Sequence, residues 1–237
     1  MSEIIICETP DDVADAAAAL IHEDQTAAIE ERGVFRIALS GGRTPRLLYE
    51  RLASEERRDM MSWEHWEVFW SDERAVPLDD PESNFHLAYA ALLSKVPVSE
   101  VFRMPAENPD LHRAAEDYAL TLRLRFGLRP PAFDTVLLGM GADGHTASLF
   151  PDHPALNSTA LVESVEVEQP LPRRLTLTLP VLNRALHILF LVTGAEKAER
   201  VCEILKNGIA SLPASRVNPE EGLCTWILDE AAASLIR

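Results

Sequence analysis

Residues 133–151, FDTVLLGMGADGHTASLFP, are the stretch of this chain that most directly indicates its fold and its chemistry. Within it, residues 136–138 form an apolar run without polar alternation, which is typical of a strand buried on both faces. Residues 188–192 show the same pattern. Strands of this kind lie in parallel sheets covered by helices, so the two runs predict such a sheet.

Helical patterns alternate with short apolar runs along the rest of the chain. Strands are predicted at 4–7, 34–40, 66–71, 133–139, 175–179, 187–193 and 224–228. Helices are predicted from a cap at Asp11 to about residue 32, and at 45–52, 84–93, 111–126, 195–207 and 229–236. Repeated strand–helix units favour one α/β domain over 1–237, with a doubly wound, mostly parallel, Rossmann-like sheet flanked by helices. Ligands bind such sheets at the carboxyl ends of the strands.

Composition excludes several classes of function. The chain has 237 residues, of which 47% are hydrophobic and 25% charged, so it can bury one large core and is not disordered. Its formal net charge of −16 repels nucleic acid and anionic membranes, and neither is an expected partner. The same charge repels phosphorylated metabolites, so any phosphate site must be locally basic or built from backbone amides.

The three cysteines, Cys7, Cys202 and Cys224, are far apart and odd in number, which predicts buried thiols in a reducing compartment. We find no signal-peptide pattern and no apolar run near the ~20 residues that cross a bilayer. A cytoplasmic protein is therefore expected. The oligomeric state stays open, and a monomer is compatible with the sequence.

Residues 40–45, SGGRTP, follow one predicted strand and precede a helix. Two adjacent glycines let the backbone turn sharply and approach a ligand closely. Thr44 is a candidate helix cap, and the free amides and dipole of a helix start favour an anion. Arg43 adds a positive charge. The motif indicates a phosphate site, although an ordinary strand–helix turn uses the same residues.

Residues 71–74, SDER, follow the third predicted strand, with SN downstream at 83–84. Charged groups where a buried strand emerges could orient a polyol or a phosphate. Asp72 and Glu73 could also act as acid or base groups. The alternative is a solvated loop with local ion pairs.

The glycines within 139–144 indicate a loop that needs unusual dihedral angles or close backbone contacts. His145 follows this loop at the carboxyl edge of the predicted sheet, where an imidazole can take a proton from water. A structural loop histidine is the alternative. The glycine spacing differs from that of a dinucleotide-binding fingerprint.

Two cationic positions accompany these motifs. Arg174 belongs to an Arg-Arg pair before a threonine-alternating strand, and Lys197 opens a predicted helix. A lysine at a helix N-terminus is electrostatically disfavoured, which indicates a nearby anion, although an exposed helix lysine is the simpler alternative. Acidic and histidine residues near 143–153 match no familiar metal-site spacing, so no metal is expected.

Together these segments resemble the 6-phosphogluconolactonase family. The matching segments, in the family's order, are SGGRTP (40–45), SDERAVP (71–77), LLGMGADGHTASLFP (137–151), RRLTLT (173–178), TGAEK (193–197), PASRV (213–217) and WILDEAA (226–232). Related glucosamine-6-phosphate deaminases share the DGH element but continue with an Ile-Ala-Phe-Asn-Glu-Pro type sequence. Here Thr-Ala-Ser-Leu-Phe-Pro follows, which is the lactonase form. Sugar-phosphate sensors with the same fold carry a DNA-binding segment, for which this chain has no basic stretch.

The resemblance implies a role for each motif. It implies a phosphate site made from Ser40, Gly41, Gly42, Thr44, Arg174 and Lys197, with Arg43, which replaces the family's common serine, as a further candidate. It implies that Arg74 helps to hold the substrate and that His145 is the catalytic acid/base. Gly141, Asp143 and Gly144 are further candidates for substrate contact. Asp72 is a second catalytic candidate, which would orient either His145 or the substrate hydroxyls. No cofactor is expected.

The implied reaction is hydrolysis of 6-phospho-D-glucono-1,5-lactone to 6-phospho-D-gluconate, the second step of the oxidative pentose phosphate pathway. We expect His145 to deprotonate the water that attacks C1 and then to protonate the departing ring oxygen. Backbone amides of the glycine-rich loop are expected to stabilise the oxyanion. Binding of the distant phosphate would hold C1 near the histidine.

Overall fold

The computed structural model describes residues 2–98, 100–127, 130–168 and 171–237. Its strands are β1 (Glu3–Cys7), β2 (Phe35–Leu39), β3 (Trp66–Trp70), β4 (Asp72–Arg74), β5 (Glu100–Val101), β6 (Thr135–Leu138), β7 (Val162–Glu166), β8 (Arg173–Leu177), β9 (His187–Val192) and β10 (Leu223–Asp229). Its α-helices are α1 (Pro10–Arg32), α2 (Arg43–Leu52), α3 (Glu55–Arg58), α4 (Asn84–Ala88), α5 (Leu111–Phe126), α6 (Leu179–Leu182) and α7 (Ala198–Val201).

The main sheet has seven parallel strands in the order β1-β10-β9-β6-β2-β3-β5. This confirms the predicted doubly wound parallel sheet. β6 and β9 are buried along their whole length, which explains why their sequences lack polar alternation. From β2 the chain builds outward through β3 to β5, and it then returns on the other side of β2 with β6. The carboxyl ends of β2 and β6 therefore flank the point where the strand order reverses, which is where such sheets open to ligands.

A second, three-stranded antiparallel sheet, in the order β4-β8-β7, was not predicted. Ser71 is the junction between the two sheets: its amide donates to Leu39 of β2 at 2.8 Å, and its carbonyl accepts from Leu177 of β8 at 2.8 Å. The chain therefore leaves the main sheet after β3 and pairs at once with β8. This pairing sets Arg74 directly opposite Arg174.

The long first helix begins two residues earlier than predicted. Thr9, not Asp11, is its N-cap, because the Thr9 hydroxyl accepts from the Asp12 amide while the Asp12 carboxylate accepts from the Thr9 amide. Gly33, with φ of 72°, ends the helix as predicted.

Three predicted helices differ from the structure. The helix at 84–93 is α-helical only in α4, and a wider π-type turn, Tyr89–Leu93, follows. The segment 195–207 is likewise divided into a 3₁₀ turn, α7 and a π-type turn. The predicted helix at 229–236 is a series of turns. Its first carboxylate, on Asp229, accepts from the amides of Ala232 and Gly194, so this side chain ties the turns to a neighbouring loop. Among the described residues, no helix is long and apolar enough to cross a membrane.

Candidate active site

A cleft of about 290 Å³ opens at the carboxyl ends of β2, β6 and β9. Residues from the SGGRTP, SDER, glycine-rich, Arg-Arg and TGAEK motifs line it, together with a few neighbours: Ser40, Gly41, Gly42, Arg43, Thr44, Pro45, Asp72, Arg74, Asn84, Gly139, Met140, Gly141, His145, Ala147, Arg174, Leu191, Val192, Thr193, Glu196 and Lys197. The structure therefore brings together segments that are more than 150 residues apart in sequence. Of the thirteen predicted site residues, Asp143 and Gly144 do not line the cleft.

The SGG segment (residues 40–42) follows β2 and forms one wall of the cleft. Tyr49 holds its first residue on both sides, because the phenol accepts from the Ser40 amide at 3.1 Å and donates to the Ser40 carbonyl at 2.6 Å. Gly42, with φ of 109°, is the N-cap of α2. The buried Ser40 hydroxyl has no hydrogen-bond partner among the described residues. This hydroxyl is therefore available to a ligand.

Thr44 does not cap α2, which corrects the prediction. Helix α2 begins at Arg43, so Thr44 lies inside its first turn, and its hydroxyl contacts that of Thr193 at 2.8 Å. This contact joins the SGG segment to the loop after β9. That loop is held in turn by Asp229, whose carboxylate accepts from the Gly194 amide.

Lys197 and Arg43 lie at the rim of the cleft with different exposure. Lys197 is half-buried at the end of a 3₁₀ turn. Arg43 has a side chain that is 96% exposed and lies 3.8 Å from Glu196. Lys197 is therefore placed to contact a ligand inside the cleft, whereas Arg43 points mostly into solvent.

Two arginines of the small sheet, Arg74 and Arg174, supply positive charge on the opposite wall. Arg74 donates to the carbonyl and the carboxylate of Glu82. Arg174 donates to the Leu171 carbonyl and lies over the Phe150 ring at 5.4 Å. Burial lowers the pKa of Arg174, partly opposed by the charge of Asp72, but a guanidinium stays protonated at neutral pH. The cleft is therefore locally cationic in a chain of net charge −16.

Asp72 and Glu73, which are neighbours in sequence, have different environments. The Asp72 carboxylate lines the cleft and accepts from Ser148 Oγ at 2.7 Å and from Asn84 Nδ2 at 3.1 Å. Glu73 turns away and accepts from the amides of Asn84 and Phe85 at the start of α4. Burial raises the pKa of Glu73, although these amide donors oppose the rise. Glu73 therefore anchors the α4 segment, and Asp72 is the carboxylate that a ligand can reach.

His145 is held on three sides. Its Nδ1 lies 2.6 Å from Asp143 Oδ1, and its ring lies 4.4 Å from the Phe150 ring, centroid to centroid. A β-carbon on Gly141 would lie 2.1 Å from Nδ1, so only glycine allows the ring this position. Burial alone would raise the pKa of Asp143, but the hydrogen bond and charge of His145 lower it to about 2. Asp143 is therefore the ionised partner that orients His145, and Asp72 accepts from other residues.

The glycine-rich loop uses its amides internally. Gly141 donates to the His145 carbonyl at 2.8 Å, Gly144 donates to the Gly141 carbonyl at 3.0 Å, and the His145 amide donates to the Asp143 carboxylate. The sequence suggested that amides of this loop bind the developing oxyanion. These three amides are not free to do so. Their role is to fix the loop that presents the histidine.

Sequence reasoning did not name several residues of the cleft, among them Asn84, Ala147, Thr193 and Glu196. All four lie in segments that the motifs included, SN, 137–151 and TGAEK, and that was the available signal. Within the described residues, no cluster of three or more His, Cys, Asp or Glu side chains is arranged to hold a metal ion.

Comparisons with known proteins agree with this geometry. Residues 8–226 match the family described as glucosamine-6-phosphate isomerases/6-phosphogluconolactonase. A 6-phosphogluconolactonase of Rattus norvegicus is 39% identical over 98% of this chain and 93% of its own length. One from Synechocystis is 42% identical over 90% of this chain and 89% of its own length. The structure of the 6-phosphogluconolactonase of Trypanosoma brucei covers 100% of this chain and 99% of that one, with a TM-score of 0.89 and 30% identity.

Proposed function

The chain belongs to the family of glucosamine-6-phosphate isomerases and 6-phosphogluconolactonases, and we propose that this enzyme hydrolyses 6-phospho-D-glucono-1,5-lactone to 6-phospho-D-gluconate with His145 as the acid/base. Its relatives named for this reaction match nearly the whole chain. The reaction is the second step of the oxidative pentose phosphate pathway. The substrate would be a free sugar phosphate lactone of the cytoplasm.

One observation carries the catalytic part of the proposal. The Asp143 carboxylate lies 2.6 Å from Nδ1 of His145 in a cleft whose other walls carry Arg74, Arg174 and Lys197. An ionised carboxylate at Nδ1 places the proton of the neutral imidazole on that nitrogen, which leaves Nε2 as the acceptor. A base and a cationic anion site in one cleft fit a substrate with a reactive carbonyl and a distant phosphate.

The hydrolysis then needs one proton acceptor and one proton donor. Nε2 of His145 takes a proton from the water as its oxygen forms a bond with C1. When the tetrahedral intermediate collapses, the C1–ring oxygen bond breaks, and the imidazolium gives its proton to that oxygen. The negative charge of Asp143 stabilises the imidazolium between these two steps.

A cation of the cleft, not the loop amides, stabilises the developing oxyanion in this mechanism. Three of the loop amides, those of Gly141, Gly144 and His145, already donate to groups of the same loop. Arg74 has a buried Nε without a hydrogen-bond partner among the described residues, so it retains a donor for the substrate. We assign the oxyanion contact to Arg74 on this ground.

The phosphate is assigned to the opposite side of the cleft, where the SGG segment and Lys197 meet. The buried Ser40 hydroxyl and the start of α2 supply hydrogen-bond donors, while Lys197 and, from the facing wall, Arg174 supply charge. Asp72 accepts from two neutral donors and keeps its carboxylate toward the cleft, so it orients the sugar hydroxyls. Since His145 has Asp143, we choose this role for Asp72 over orientation of the histidine.

The experiment that tests the proposal measures acid release from freshly generated 6-phosphogluconolactone, corrected for spontaneous hydrolysis. We expect accelerated acid release and no ammonia from glucosamine 6-phosphate. Ammonia release without lactone hydrolysis would assign the chain to the isomerase branch of its family. Tight binding of either sugar phosphate without turnover would instead indicate a sensor and contradict the proposal.

A further inference from the structure

Asn84 is a buried residue of the cleft wall to which the proposed mechanism gives no role. It is 2% exposed and begins α4, immediately after the loop that follows β4. Its Nδ2 donates to the Asp72 carbonyl at 3.0 Å and to Asp72 Oδ1 at 3.1 Å. Both donor contacts of the side-chain amide therefore go to Asp72, the residue whose carboxylate is assigned to the sugar hydroxyls.

The other end of the same amide lies against the SGG segment. A β-carbon on Gly41 would lie 1.8 Å from Asn84 Oδ1, so this oxygen occupies the space beside the Gly41 α-carbon. Oδ1 is buried and has no hydrogen-bond partner among the described residues. One planar amide therefore spans the distance between the phosphate side of the cleft and Asp72.

Asn84 is itself fixed from behind. Glu73 Oε1 accepts from the Asn84 amide at 2.8 Å, and Glu73 Oε2 accepts from Phe85 at 2.7 Å and from the Ser83 hydroxyl at 3.2 Å. A buried carboxylate with several donors holds the start of α4 in one position. The Asn84 side chain is therefore a rigid spacer.

We propose that Asn84 is a positioning residue, which keeps the Asp72 carboxylate and the SGG segment at the separation that one substrate needs. The inference rests on the proposed function, because it takes the phosphate to bind at one end of this spacer and the sugar hydroxyls at the other. Asn84 acts through Asp72 and Gly41 and does not touch the reacting atoms.

An aspartate at position 84 would have nearly the same shape as asparagine. It would, however, replace the amide that donates to the Asp72 carboxylate with a group that repels it. It would place a second carboxylate beside that of Asp72, and two carboxylates at such a distance share one proton and cannot both ionise cheaply. The charged or titratable groups around the pair are Glu73 on β4, Arg174 on β8, Tyr49 on α2, and the cleft cations Arg74 and Lys197. These groups are common to the parent and the variant, so a comparison of the two cancels their own titration and reports the carboxyl pair.

The test compares Asn84→Asp with Asn84→Ala and with Asn207→Asp, which makes the same chemical change at an exposed position. For each variant, kcat/KM for the phosphorylated lactone is measured from about pH 5 to about pH 8. The ratio of the parent kcat/KM to the variant kcat/KM is then calculated at each pH, so a larger ratio means a more impaired variant. We expect the ratio for Asn84→Asp to grow about tenfold or more with pH, because the shared proton is lost. The ratio for Asn84→Ala should be raised but flat, and that for Asn207→Asp close to one.

A ratio for Asn84→Asp that does not change with pH, or near-parental activity in both Asn84 variants, would overturn the inference. An activity-independent readout separates this outcome from failure of the proposed function. In folded Asn84→Asp, the carboxyl pair should have a raised pKa. The protonated pair therefore stabilises the folded variant at low pH, and this contribution is lost as pH rises through that pKa. The Tm deficit of Asn84→Asp should therefore grow with pH, even if the parent hydrolyses no lactone.

A deficit that is constant with pH would show that the Asn84–Asp72 contact is wrong. If Asn84→Asp does not fold, the double exchange Asp72→Asn with Asn84→Asp supplies the test, because it restores one amide and one carboxylate. Recovery of folding, with a Tm deficit that is flat in pH, is expected. Failure of the exchange to recover folding would contradict the inference.

Discussion

His145 is useful to the proposed reaction because three neighbours leave its ring little freedom. Asp143 binds one ring nitrogen at 2.6 Å, Phe150 packs against the ring in a tilted arrangement, and Gly141 has no side chain to obstruct the ring. Each neighbour comes from residues 139–151, so a single loop after β6 contains His145 and these three neighbours. Local sequence therefore specifies this part of the site almost completely.

Replacement of His145 by Asn tests the base directly. Asparagine keeps a polar group but cannot accept the proton at neutral pH, so kcat should fall by roughly 10²–10⁴-fold while substrate binding survives. Because the pKa of Asp143 is about 2, that carboxyl is ionised at neutral pH in the parent and in the variant alike. A folded variant with near-parental kcat, after background correction, would exclude His145 as the base.

Gly141→Ala tests whether the loop must leave room for the ring. The new β-carbon would lie 2.1 Å from His145 Nδ1 and 2.6 Å from Asp143 Oδ1, so the ring or the carboxylate must move. Steady-state kinetics should show a fall in kcat with little change in KM. Gly139→Ala is the matched control, since its β-carbon would meet nothing within 4 Å. Equal losses in the two variants would mean that the effect is on the loop backbone and not on the histidine.

At the scale of elements, the site depends on loops that different strands deliver to one edge of the sheet. The hydroxyl contact between Thr44 and Thr193 joins the loops after β2 and β9, and Asp229 at the end of β10 holds the second of these loops. The small sheet adds the loop of β4 and the arginine of β8. The proposed phosphate site therefore depends on several elements together, whereas the proposed base belongs to one.

Lys197→Ala and Arg174→Ala test the phosphate assignment. Each removes a charged contact that ground and transition states share, so KM should rise, at a cost of about 1.5–3 kcal/mol, while kcat changes little. Lys206→Ala, which removes a contact with the Leu235 carbonyl far along the chain, is the control. Unphosphorylated gluconolactone should be a poor substrate of the parent. Comparable efficiency on both lactones would contradict the phosphate site, whatever the variants did.

At the scale of the whole molecule, the two ends of the main sheet differ: one forms the cleft and the other a buried hydrogen-bond network. The carboxyl end carries the cleft. At the amino end, buried His187 of β9 contacts Asp24 of α1 at 3.0 Å and Thr225 of β10 at 2.9 Å. Thr135 of β6 donates to the same Asp24 carboxylate at 2.6 Å. This network joins one helix to three strands at a distance from the proposed chemistry.

Asp24→Ala should therefore reduce stability and leave catalysis intact. It removes the acceptor of a buried histidine and a buried hydroxyl, which typically costs about 1–3 kcal/mol. For a chain of this size each kcal/mol lowers Tm by about 2–4 °C, which thermal unfolding would detect. Glu23→Ala, an exposed change on the same helix, is the control and should leave Tm nearly unchanged. A marked loss of kcat in folded Asp24→Ala would show that the two ends of the sheet are coupled.

The sequence by itself determined the parallel sheet, the loops that line the cleft and the position of His145. Strands such as β6 and β9 are apolar throughout because both faces are covered, and that pattern is visible without a structure. The SGG and GMGADGH segments follow their strands directly, so their place at the carboxyl edge follows from chain order. These inferences depend on residues that are close in sequence.

Only the tertiary structure decided which side chains meet. Asp72 and Asp143 are both acidic residues in site motifs, but Asp143 contacts His145, while Asp72 meets Asn84 and Ser148 across a different pairing. The short strand β4 was missed because three residues are too few to show the apolar–polar alternation of a strand. Its pairing with β8 exists only once both sheets form. The physical reason is that contacts between distant segments follow from how elements pack, and no local pattern records that packing.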